Sequence, residues 1–128
     1  VAPALAQEER GIAIAEAPEA GYFTCFGENA VDTLECARDR CEAEGGDPCY
    51  RIRWCYPAGW SGSMRFVAEG EGSRSTFVCG APSDEGVKAM LSSWCETSPW
   101  ASECTLVSMW DPLGNEVGAE TPLGKNGE

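Results

Sequence analysis

The sequence predicts an α+β domain in which two duplicated strand-helix-strand units pack two helices on one mostly antiparallel sheet, braced by disulfides. Three observations predict it. Eight cysteines stand among 128 residues, and no two lie closer than five positions. The chain matches itself when shifted by 54 residues. Each matched half changes from a strand-type period to a helix-type period and back.

The self-match is ordered. Phe23-Thr24-Cys25 falls on Phe77-Val78-Cys79, Asn29 on Ser83, and Cys41-Glu42 on Cys95-Glu96. One inserted residue then makes the offset 55, and Cys49 meets Cys104, Pro57 meets Pro112 and Gly59 meets Gly114. Three cysteines matched in order, with one inserted residue, argue for a repeated supersecondary unit. Unit one is read as 21–63 and unit two as 73–114, within a domain spanning 21–114.

Each unit opens on a short β-type run, Tyr22 to Phe26 or Thr76 to Cys79. Asn29 and Ser83 are helix N-caps, followed by acidic residues in the first turn, Asp32 or Asp84-Glu85. Ala30, Leu34, Ala37 and Cys41 share one helical face, as do Val87, Met90, Leu91, Trp94 and Cys95. Gly45-Gly46-Asp47-Pro48 stops the first helix and Thr97-Ser98-Pro99 the second. Tyr50 to Trp54 and Thr105 to Trp110 are the closing strands. Between the units, Met64 to Ala68 and Ser73 to Cys79 flank Glu69-Gly70-Glu71-Gly72, a hairpin signal. Ile12 to Ala15 is read as an added edge strand.

The ends carry a different message. Val1 to Gln7 is apolar and Ala-rich, with Ala4-x-Ala6 before the polar Gln7-Glu8-Glu9-Arg10. That reads either as the tail of a secretory signal or as an extended arm, so 1–20 is set apart from the domain. Residues 115–128, rich in Gly and Glu, are read as a flexible acidic tail. No apolar run approaches the ~20 residues that span a bilayer.

An even cysteine count, no Cys-x-x-Cys and no histidine favour disulfides over metal ligation. Disulfides persist in oxidising compartments, which places the chain outside the cytoplasm, periplasmic or extracellular. The repeat narrows the pairing. Cys36 and Cys55 fall opposite Met90 and Trp110, so both are special to unit one. Their shared fate suggests Cys36–Cys55. Cys41 with Cys49, and Cys95 with Cys104, are local pairs at equivalent places. Parity then leaves Cys25 and Cys79 to bridge the units. One tension stands in this scheme. Cys36 to Cys41 rises roughly 7.5 Å along a helix, whereas Cys49 to Cys55 covers about 20 Å of strand. The strand must therefore fold back near Cys55-Tyr56-Pro57.

Ala30 to Cys41, Gly45-Gly46 and Cys49-Tyr50-Arg51-Ile52-Arg53-Trp54-Cys55 together resemble a family of small exported bacterial cysteine-containing domains of unknown function. Its pattern is an Ala-rich helix ending in Cys, a Gly turn and a Cys-led strand. The resemblance covers about 35 residues of unit one, with unit two as a weaker second copy. It implies export and the Cys41–Cys49 bridge, and no activity. Cys25 and Cys36 depart from the pattern.

The chemistry is bounded by what is missing. No histidine means no Ser-His-Asp triad, no Cys-His dyad and no His-ligated metal or haem. The formal charge of −12 opposes binding to a phosphate backbone. Glu42, Glu44, Asp47, Glu69, Glu71, Asp84, Glu85, Glu103 and Asp111 are plentiful carboxylates, but no spacing isolates a catalytic pair. Asp111-Pro112-Leu113-Gly114-Asn115 is a turn before it is a calcium loop. Catalytic, cofactor and metal residues are therefore all expected to be none. Trp54, Trp94 and Trp110 are assigned to the core. Trp60 and Trp100 sit in small-residue loops and are candidate partner anchors. Arg51 and Arg53, two apart on a strand, are candidate partner contacts as well.

These observations favour a non-enzymatic exported interaction module, an accessory or structural subunit of an envelope or extracellular assembly. The alternative is an acidic inhibitor or binder of a cationic secreted protein such as a hydrolase, steered by its charge. Neither involves nucleic acid or a membrane-spanning segment.

Overall fold

The structure, a computed structural model, describes residues 10–17, 20–45, 48–118 and 120–124, without the side chains of Arg51 and Ile52. The signal-like residues 1–9 lie outside the described residues. The chain runs β1 (Gly11–Ala17), β2 (Gly21–Gly27), α1 (Ala30–Glu44), β3 (Tyr50–Cys55), β4 (Trp60–Ala68), β5 (Gly72–Ala81), α2 (Asp84–Thr97), β6 (Ala101–Trp110), β7 (Glu116–Val117) and β8 (Thr121–Gly124).

The α+β class holds, with two helices and antiparallel pairing throughout. The single sheet does not. One sheet has the order β2-β1-β3, the other β5-β4-β6-β7 with β8 also on β6. Two compact units follow: 1–58 with 112–114, and 59–111 with 115–128. The division between them falls before β4, which among the described residues pairs with β5 and β6.

The expected edge strand Ile12 to Ala15 is instead the centre of the first sheet, lying between β2 and β3. Its residues Gly11 to Ala15 are all buried. Ala13, Ala15 and Ala17 pack with Ala37 and Cys41 of α1 and with Cys25 of β2. Ile12 and Ile14, of opposite parity, are also fully buried. A strand covered on both faces needs an uninterrupted apolar run, and Gly-Ile-Ala-Ile-Ala supplies one. The small residues let the helix approach closely. Trp54 closes one end: a Cβ on Gly11 would fall inside its indole ring.

Both helices start where expected. The Asn29 side chain accepts from Asp32 N at 2.9 Å, and the Ser83 hydroxyl accepts from Gly86 N at 3.0 Å. Each cap satisfies one of the donors that a helix start leaves unpaired. The buried positions are Thr33, Ala37 and Cys41 in α1 and Val87, Leu91 and Cys95 in α2, each 54 residues apart. Met90, expected on the buried face, is exposed. A β-bulge recurs as well. Ile14 lies opposite Arg53 and Ala15 opposite Arg51, while Ser63 lies opposite Ser108 and Met64 opposite Leu106. The residues skipped are Ile52 and Val107.

All eight cysteines are oxidised. Cys41–Cys49 and Cys95–Cys104 form as expected, the first tying a helix end to the residue before β3 and the second to β6. The pairings Cys36–Cys55 and Cys25–Cys79 are overturned: Cys25 bonds Cys36, with Cα atoms 6.1 Å apart. The reason is layer packing. The middle of α1 lies against β2, so Cys36 reaches the strand beneath it and not the far end of β3. The conflict between helix rise and strand rise disappears with this pairing. Cys55 and Cys79 are disulfide-bonded too. β3 ends at Cys55, ahead of a cis Tyr56–Pro57 bond.

Unit two has a heavier core. Met64, Phe66, Leu91, Val87, Leu106 and Met109 are buried together with Cys95 and Cys104, and Trp60, Trp94, Val117 and Leu123 pack on them. The last two correct the expectation of a loose tail. β7 and β8 both pair with β6, and the Ser92 hydroxyl donates to the Leu123 carbonyl at 3.3 Å.

Two predictions follow from the packing of unit one. Gly11→Ala should lower stability by about 1–3 kcal/mol, since the Trp54 ring must leave its place; equal denaturation midpoints for variant and parent would refute this. Replacing Cys25 and Cys36 together by serine should cost about 2–4 kcal/mol. Non-reducing peptide mapping should first recover the two cysteines in one linked fragment.

Candidate functional site

The end of α2 builds the most distinctive surface of unit two. Proline cannot continue a helix, so the chain turns at Ser98-Pro99. The Ser98 N–H donates to the Cys95 carbonyl at 3.2 Å, and its hydroxyl donates to the Trp94 carbonyl at 2.7 Å. Ala101 N then donates back to the Ser98 carbonyl at 3.1 Å. This closes a turn with Pro99 and Trp100 at its centre. The Cys95–Cys104 bridge closes the same segment covalently. From the other side, Glu69 N in the β4–β5 hairpin donates to the Trp100 carbonyl at 2.9 Å.

Trp100 is therefore fixed, yet it is 46% exposed. Its ring meets Trp94 edge-on with centroids 5.4 Å apart, and Phe66 at 5.7 Å. Phe66 and Trp94 are themselves 4.8 Å apart. These spacings suit mutual aromatic attraction. The three rings wall a groove of about 550 Å³, completed by Ala68, Glu69, Glu71, Arg74, Ser75 and Thr76. Arg74 is held by Glu71 at 2.8 Å. The Glu69 carboxylate has no ion-pair partner among the described residues.

The expected anchors are dispersed. Trp60 is not in a loop: it begins β4 opposite Ala81 and packs, half-buried, on the core. Arg53 is exposed on β3 opposite Ile14, and Arg51 lies opposite Ala15, its side chain outside the described residues. Both belong to unit one and line no part of the groove. Trp100 alone among these residues reaches it. Trp94, assigned to the core from its helical position, is half-buried and forms a wall. Phe66, Glu69 and Arg74 were missed as site residues. One signal was available: Trp94 and Trp100 flank a helix stop, with the second tryptophan past the proline.

Among the described residues, no group of three or more Cys, Asp or Glu side chains is placed to hold a metal ion. Asp111 uses both carboxylate oxygens within its turn, accepting from Asn115 N at 2.9 Å and Asn115 Nδ2 at 3.1 Å. Asp47 lies outside the described residues. No helix among the described residues is long and apolar enough to cross a membrane. No family model, curated protein or solved structure matches the chain.

In unit one, burial pushes the Tyr22 phenol up to about 12, helped by the Glu16 carboxylate opposite it on β1 and offset by Arg53. The folded chain then holds this proton where the unfolded chain has released it. The stability so contributed is complete below the ordinary phenol value of 10 and is lost as pH rises to 12. Tyr22→Phe should flatten the fall in unfolding free energy across that window; an unchanged alkaline slope in a denaturation series would contradict it.

Proposed function

We propose that this chain is a non-enzymatic interaction module of an exported, oxidising compartment, an accessory or structural subunit of an envelope or extracellular assembly. We place its partner-binding face at the Phe66–Trp94–Trp100 groove. The observation that carries this reading is a large aromatic ring, half exposed and immobilised from both sides. Such a side chain loses little freedom on binding and offers a large apolar contact. The oxidised cysteines support the oxidising compartment. The missing histidine supports a role without catalysis. The resemblance of unit one to small exported domains fits the same reading.

An internal duplication is part of the proposal. It is supported by the shared cap positions, the common spacing of buried helix residues and the bulge at corresponding places in β3 and β6. A second reading, binding to a cationic secreted protein, is supported by the net charge of −12. Charge of that size steers association and makes it salt-sensitive.

The test compares parent and Trp100→Ala chains isolated gently from the exported fraction. The parent should elute in a larger complex. The variant, still folded as judged by circular dichroism, should bind its partner at least tenfold more weakly, a step of about 1.4 kcal/mol. A parent that elutes as a bare 13.7 kDa monomer, or a variant complex of undiminished affinity, would sink the proposal.

A further inference from the structure

We infer that the groove accepts an extended basic segment of a protein partner, added as a strand to the outer edge of β5 with a lysine or arginine side chain laid against Trp100. The inference rests on the binding face proposed above and specifies what occupies it.

The backbone comes first. β5 is the terminal strand of its sheet. Residues 72–75 are exposed along it and Thr76 is half-buried. An open edge is a template for another strand, and chains usually blunt it with proline, lysine or a cover. Gly72-Ser73-Arg74-Ser75-Thr76 contains neither proline nor lysine, and the Arg74 charge is compensated by Glu71. Residues at the 72–76 edge also include the β5 lining of the groove. A groove between an edge strand and a helix is a recurring geometry for strand addition, where main-chain bonds supply affinity and side-chain sites supply selectivity.

The side-chain chemistry comes second. Arg74 lies opposite Phe66 and Thr76 opposite Met64, both buried, so Arg74 and Thr76 share the helix-facing side. An added strand would sit about 4.8 Å further out. Phe66 stands on β4, one strand further in, so side chains on that face must reach across β5, about two strand spacings, to meet the rings, which favours long unbranched ones. A guanidinium or ammonium over an indole face is attracted by the ring quadrupole. Glu69, without an ion pair among the described residues, lines the same groove as Trp100 and brings a negative charge to it. The net charge of −12 favours the same sign of partner.

Unit one lacks the counterpart. Position 40, which matches Trp94 at the offset of 54, is an arginine that donates to the Thr24 carbonyl of β2 at 2.7 Å. There the helix closes down on its edge strand with a cation of its own; in unit two an aromatic wall leaves that place to a cation from outside.

The test titrates the full chain with three soluble nine-residue peptides of alternating threonine and serine. One carries a central arginine, one a central glutamate, and one the arginine with alternate backbone amides N-methylated. A chitin-derived oligosaccharide serves as a fourth probe. Tryptophan emission and the amide shifts of residues 72–76 are read. The arginine peptide should bind and move those amides, and the other two peptides should bind at least tenfold more weakly. Trp100→Ala and the surface variant Glu69→Lys should each weaken the arginine peptide at least tenfold. An N-methylated peptide that binds as well as its parent overturns strand addition. So does an arginine peptide that leaves emission and amides unmoved, or an oligosaccharide that alone perturbs Trp100. If Trp100→Ala dissolves the native complex while methylation changes nothing, the strand-addition inference fails and the binding face survives. If the arginine peptide behaves as expected while the native complex ignores Trp100→Ala, the inference holds and the assigned partner face fails.

Discussion

The structure depends on covalent closure of helix against strand. In unit one the helix meets its sheet through Ala13, Ala15, Ala17 and Ala37, and an alanine methyl buries little. At about 0.8 kcal/mol per buried carbon group, such a seam falls well short of one made of leucine and phenylalanine. The disulfides offset the difference by restricting the unfolded chain. Cys25–Cys36 fastens the middle of α1 to β2, and Cys41–Cys49 fastens its end to the approach to β3. The close approach that alanine permits is also what brings the sulfurs within bonding distance. A bulkier seam would lift the helix away from Cys25.

Unit two solves the same problem differently. Phe66, Met64 and Leu91 fill its seam, and the Cys95–Cys104 bridge stands at the equivalent helix end. No cysteine stands at position 90, where the first helix has Cys36. A larger core makes a second helix–strand bond dispensable. The Cys95–Cys104 bridge then acquires another consequence, because Trp100 lies inside the loop it closes. That bond closes the segment whose backbone carries the exposed indole.

The parts legible in the sequence were those fixed by local chemistry. Asn29 and Ser83 cap helices because a side-chain oxygen three residues from an amide is a short-range device. Cys41–Cys49 and Cys95–Cys104 are short-range too. The β4–β5 hairpin was visible in Glu69-Gly70-Glu71-Gly72, where Gly70 takes a φ of 79° that other residues resist. What escaped was set by long-range layering. Ile12 to Ala15 has the composition of either an edge or a centre, and only its burial on both faces distinguishes them. The partner of Cys36 depends on which strand lies under α1. Thr121 to Gly124 holds a proline and reads as tail, yet it finds an open side of β6. Of the site, Trp100 was recognisable from its place after a helix stop. Phe66, Glu69 and Arg74 were not, because they reach Trp100 only after the hairpin folds over.

Acidity and the groove act at different ranges. The net charge of −12 reaches about a Debye length, roughly 8–10 Å at ordinary salt. It gathers cationic partners without choosing among them. A choice requires a contact that works only in one geometry. Glu69 and Trp100 line one groove and their backbones are joined by a hydrogen bond, so a cation entering the groove meets both a carboxylate-bearing residue and an aromatic one. The open edge of β5 adds direction, since a strand pairs in one register at a time. Steering by the whole surface and selection by three rings and one carboxylate are therefore separable in principle: salt weakens the first far more than the second.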